Sequence, residues 1–261
     1  MEYNCKEISD KLTKLLRLEV IPIGIKGYED IEEMEQIPKI RKPKHIFTPC
    51  QMIGQAVHMG FTIGFTEKDV VTHNCNSVIG LDEQDDEWMK ESVGLFRGVW
   101  WEKENDVLNH QSSLTSIESV KYKGIVCSPL SSERIEPDIC LINASPGAVF
   151  MLLSGFLHRD YKALDLKIVG ESSCSMTWVK TLYTGQIGVS MPCFAEMRYA
   201  GMSPDKMILT MTPKDLVKAI EGVETLSKSG LRYPVPPYGT QVDVREGIGY
   251  SYDVSKVKKQ Q

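Results

Sequence analysis

Excess positive charge is missing from this 261-residue chain: 30 lysines and arginines face 35 aspartates and glutamates, for a net charge of −5. That balance excludes the basic stripe with which proteins grip nucleic acid or anionic lipid. The two short basic runs, residues 39–44 and 256–259, read as solvated surface. Long hydrophobic runs are missing too. The longest apolar segment, Ala148 to Leu157, is interrupted by Ser154 and Gly155, short of the ~18 residues that argue for a membrane span. The opening Met1-Glu2-Tyr3-Asn4-Cys5 lacks the apolar core of a secretory signal. A cytoplasmic protein is expected, with neither membrane nor nucleic acid among its partners.

Familiar catalytic signatures are also absent. The chain has no glycine-rich dinucleotide fingerprint, no Gly-x-x-x-x-Gly-Lys, no His-Glu-x-x-His and no Gly-x-Ser-x-Gly elbow. It has no Cys-x-x-Cys pair either, which excludes the compact zinc and ferredoxin spacings.

What the chain does have is seven cysteines, an odd number. In a reducing compartment they need a reason other than disulfides. Two segments echo each other around them. Thr48-Pro49-Cys50 leads through an apolar-periodic stretch to Gly60, a β-like run 61–65 and Thr66-Glu67-Lys68-Asp69; Met191-Pro192-Cys193 leads likewise to Gly201, a strand at 207–211 and Thr212-Pro213-Lys214-Asp215. Each cysteine falls where a helix begins. The first-turn N–H groups there are unpaired and carry partial positive charge, so a lowered thiol pKa is expected, making a better nucleophile or metal ligand.

Periodicity places helices at residues 7–18, after Ser145-Pro146 and from Asp215, and strands at 20–25, 61–65, 124–127, 139–142, 166–170 and 207–211. This alternation predicts an α/β or α+β domain over residues 1–232, a mixed sheet with covering helices and possible pseudo-symmetry between its halves. Residues 233–261, with the proline-rich 233–238, read as an extended segment and tail. Residues 82–118 give little pattern, and Trp100-Trp101 reads as packing under a loop or at a subunit contact.

On this map Cys127 and Cys140 lie inside buried strands, where cysteine acts as a small apolar residue. Cys5, near the start, is expected to be mobile. Cys50, Cys75, Cys174 and Cys193 remain, all at helix starts, and four thiolates there can hold a 4Fe-4S iron–sulfur cluster or a tetrahedral metal. His73, two residues before Cys75, is a candidate ligand or thiol base, against a plain surface histidine. Arg198 is a candidate clamp for an anionic substrate group, against a plain salt bridge.

With the Pro-Cys segments, Cys75 and the run Cys193-x-x-x-x-Arg198-x-x-Gly201, the chain resembles the family catalogued as domain of unknown function 169. The likeness includes Val20-Ile21-Pro22-Ile23-Gly24-Ile25, Ser128-Pro129-Leu130 and Pro137 to Pro146. The resemblance implies a protein of anaerobic bacteria or archaea whose relatives also place cysteine at positions 50, 75, 174 and 193; it implies no reaction. The expected function is therefore a cysteine-ligated metal or iron–sulfur redox or accessory protein of anaerobic metabolism. It would work with a small molecule or redox partner, and as a possible homo-oligomer. The alternatives are a thiol enzyme using Cys193 or Cys50 on an anionic small molecule, and a non-enzymatic small-molecule-binding subunit.

Overall fold

The computed structural model describes residues 4–235, so most of the proline-rich segment and the tail lie outside the described residues. Among the described residues, ten α-helices and six strands build an α/β fold. The helices are α1 (Cys5–Leu16), α2 (Ile31–Glu35), α3 (Pro49–Met59), α4 (His73–Ile79), α5 (Asp86–Phe96), α6 (Glu104–Ser113), α7 (Pro146–Leu157), α8 (Lys180–Thr184), α9 (Phe194–Ala200) and α10 (Pro213–Lys228). The strands are β1 (Ile23–Tyr28), β2 (Ile63–Thr66), β3 (Gly124–Pro129), β4 (Ile139–Ala144), β5 (Gly188–Ser190) and β6 (Met207–Met211). They form one sheet in the order β2-β3-β1-β4-β6-β5. All five strand pairings are antiparallel, where the sequence suggested a mixed sheet.

Both faces of the sheet are covered. Because side chains alternate across a strand, Ile23, Ile25, Ile125, Cys127, Ile139 and Leu141 pack on one face with α3, α4 and Trp178. Cys140, Ile142, Leu209 and Met211 pack on the other with α1, α7 and α10. The two strand cysteines thus fill opposite cores, each with no solvent exposure. No helix of the described residues is long and apolar enough to cross a membrane.

Local chemistry explains most helix ends. Thr48 and Gln51 form a reciprocal capping box at the start of α3, with Pro49 at its first position, and Gly60 closes it in the left-handed conformation (φ 68°). Ser145 and Thr212 cap α7 and α10, each again followed by proline. The segment 166–170 is a loop, correcting the strand expected there. Its Leu166 and Ile168 face solvent, and Lys167 Nζ donates to the Ser113 carbonyl. Cys5, expected to be mobile, opens α1 and is buried against the second core.

Two contacts between helices are close enough to require glycine. α7 and α10 cross at Gly155 and Gly222, where an added Cβ on Gly155 would lie 2.3 Å from the Ala219 carbonyl oxygen. α3 and α9 cross at Gly54, where a Cβ would lie 2.6 Å from the Ala200 carbonyl oxygen. The second crossing brings the two Pro-Cys helices against each other.

Candidate functional site

That crossing sets the site. Cys50 is the second residue of α3, and Cys193 is the N-cap of α9. Cys75 is the third residue of α4, its backbone N–H bonded to Thr72 Oγ1 at 3.0 Å. Cys174 immediately precedes a π-helical turn, Ser175–Val179, which runs on into α8. Such turns are rare and gather at functional sites. All four cysteines line one cavity of about 310 Å³, within the size range of small-molecule sites. None of the four is in a disulfide.

Supporting contacts hold each element in place. Asn74 of α4 accepts hydrogen bonds from Trp88 Nε1 (2.9 Å) and Ser92 Oγ (2.8 Å) of α5, all buried, and its own N–H bonds Glu91. The Cys193 N–H is shared between Ser173 Oγ (2.9 Å) and Glu196 (3.0 Å), and Ser173 also donates to Glu196. The segment leading to Cys174 is held in an unusual shape, with Ser172 at φ 56°; positive φ outside glycine is uncommon. His110 donates from Nε2 to the Glu171 carbonyl at 3.1 Å, fixing that segment from behind.

The electrostatics overturn one expectation. Helix starts favour thiolates, yet none of the four thiols is shifted down. Burial pushes Cys193 up to about 12, with the Glu196 and Glu171 charges adding to it; the Glu196 N–H and Ser173 offset this only in part. Burial likewise holds Cys50 and Cys174 well above the ordinary thiol value and raises Cys75. Cys50 is raised further by Glu196, Cys193, Cys75 and Glu171, and Cys174 by Cys50, Glu196, Cys193 and Cys75. Desolvation and mutual repulsion therefore outweigh the helix ends. Among the described residues, no three His, Cys, Asp or Glu side chains are gathered as one metal ion needs.

Two carboxyls were missed by sequence reasoning. Glu196 is 2% exposed, and burial raises its pKa to about 7. Its signal was present: it stands three residues after the N-cap, the capping-box position. Glu171 is 6% exposed, lines the cavity, and is raised by burial; its Oε2 has no hydrogen-bond partner among the described residues. Nothing in its local sequence marks it. His73 and Arg198 do not line the cavity. His73 Nδ1 meets Asp82 at 2.9 Å and Nε2 meets Asp85 at 3.5 Å. Burial works against its charge, but the two aspartates outweigh it and raise its pKa. The Arg198 guanidinium lies over Phe194 and Tyr199, 5.9 and 6.0 Å from the ring centroids. Trp100 lines the mouth and packs edge-on against Phe194 at 5.8 Å, while Trp101 turns away to stack on His110 at 4.2 Å.

The profile of the family described as uncharacterised ArCR, domain of unknown function 169, matches residues 11–222, a span that contains all four cavity cysteines. No curated protein and no solved structure matches the chain.

Proposed function

As a chain that belongs to this family, we propose that the protein is a cysteine-ligated iron–sulfur protein, with Cys50, Cys75, Cys174 and Cys193 as ligands of a 4Fe-4S cluster. The observation that carries this reading is four thiols, from four separate elements, on the wall of one cavity. The donor set suits the group: four thiolates complete the coordination of such a cluster. When bound, the cluster would supply one-electron chemistry in redox or accessory work. The chain's own part is to exclude water with apolar walls, to present four helix-start sulfurs and to give up their protons on loading. A reducing cytoplasm suits such thiols, and a small molecule or redox partner would meet them at the mouth.

The alternative of a nucleophilic thiol is weakened by the same geometry. A nucleophile needs a lowered pKa or an adjacent base; here burial raises the thiols and His73 is engaged with aspartates, which leaves it the Glu171 carboxyl beside Cys193 as base.

Anaerobic reconstitution with iron and sulfide tests the reading. Wild-type protein should take up about four irons per chain and show the visible absorbance of a cluster. Single serine variants of Cys50, Cys75, Cys174 or Cys193 should lose most of it without unfolding. A protein that stays colourless and iron-free after reconstitution, or one whose uptake survives all four serine changes, overturns the proposal.

A further inference from the structure

The cavity is larger than its thiols require. Beyond the cysteines its wall is mainly apolar, with Val78, Ile79, Leu95 and Phe96 in it, Thr72 and Asn74 are among its polar members, and no lysine or arginine is among its lining residues. Its one carboxyl is Glu171, which the Cys193 thiol and the Ser172 and Phe194 N–H groups approach, while its buried Oε2 lacks a hydrogen-bond partner among the described residues. An unmet polar atom in an apolar wall is costly unless something meets it. Glu196 stands close behind, near enough for its charge to be felt at Cys50, Cys174 and Cys193.

We propose that the cavity takes, beside the thiols, a small and mainly apolar molecule that is uncharged or cationic, whose hydrogen-bond donor meets Glu171 Oε2, and that it rejects anions. A carboxyl oxygen accepts a hydrogen bond from an amine or alcohol. An anion would offer Glu171 Oε2 an acceptor where it needs a donor, in a cavity with no lysine or arginine among its lining residues; the Arg198 guanidinium lies over the Phe194 and Tyr199 rings and not in that lining. The helix starts do favour negative charge, but that field fades within the first turn, and Cys50, Cys75 and Cys193 already occupy those turns. Trp100, which lines the cavity and is backed by Phe194, gives a flat apolar ring a surface to lie on. The inference rests on the cluster reading only in giving the sulfur side of the cavity to the cofactor; Glu171 and the apolar wall are present either way. It also turns the alternative of an anionic substrate around.

Three probes of one size but different charge decide the matter: benzylamine, benzyl alcohol and benzoate, titrated by ligand-observed NMR into reconstituted and metal-free protein. Benzylamine and benzyl alcohol should bind, and benzoate should bind at least roughly tenfold more weakly. Glu171→Gln should remove most of the preference for the amine over benzoate, and Trp100→Ala should weaken all three, with melting temperatures reporting that each variant is folded. Equal binding of benzoate and benzylamine, no binding of any probe, or a charge preference untouched by Glu171→Gln overturns the inference. Should Glu171→Gln fail to fold, the wild-type charge series and Trp100→Ala still decide. Iron content is read separately, so selective binding without iron uptake removes the cluster reading alone, and iron uptake without selectivity removes this one alone.

Discussion

Glu196 shows what a single buried residue can impose. Its folded-state pKa of about 7 lies above the ordinary 4.5, so between those values the folded protein holds a proton that the unfolded chain has lost. Stability must therefore fall as pH rises through that window and level off above it. Glu171, also raised by burial, adds to the same slope. In urea unfolding of metal-free protein, Glu196→Gln should flatten the decline between about pH 4.5 and 7 while keeping the acceptor for Cys193; an unchanged slope would show that the carboxyl is not buried as described. The strand cysteines predict a contrast. Cys127→Ala or Cys140→Ala removes one sulfur from a packed core and should cost roughly 1–2 kcal/mol, read by denaturant midpoint, with iron uptake unchanged. Their burial was legible in the sequence because apolar runs surround both. The thiol pKa shifts at the cavity were not, since desolvation depends on what covers a group rather than on its place in a helix.

At the scale of elements, two glycines separate packing from function. Gly54→Ala puts a methyl against the backbone of Ala200, and Gly155→Ala puts one against Ala219. Backbone cannot yield as a side-chain tip does, so each should cost about 2 kcal/mol or more. Only the Gly54 change moves α3 from α9 and so Cys50 from Cys193; iron binding should fall there and persist in Gly155→Ala. Loss of iron in both, or in neither, would break the link between that crossing and the site. Helix starts were the most legible elements: Thr48-Pro49, Ser145-Pro146 and Thr212-Pro213 state their caps in two residues. The run 166–170 misled because alternation describes a strand only if a partner ladder exists. α5 and α6 were unreadable because few of their residues are buried, Trp88, Ser92, Val107, His110 and Gln111 among them, and three of those five are polar or titratable.

Across the whole molecule, a fold class could be read from alternating helices and strands, but strand direction could not. The five pairings among the six strands are antiparallel, and the cysteines still converge, because helix crossings and not the carboxyl ends of parallel strands gather them. That is why spacing along the chain carried no signature: contact in space was set by Gly54, by the π-helical turn and by the Asn74 anchor. The same arrangement governs when the site comes into being. Two of its sulfurs come from residues 50 and 75 and two from residues 174 and 193, with β3 and β4 encoded between the two pairs. A ribosome that has not yet released residue 193 has made only part of the site, and β6, which completes one face of the sheet, is still to come. On the proposed reading, a cluster would be delivered only after nearly the whole described domain is made, so iron uptake would report a chain completed at least through residue 193.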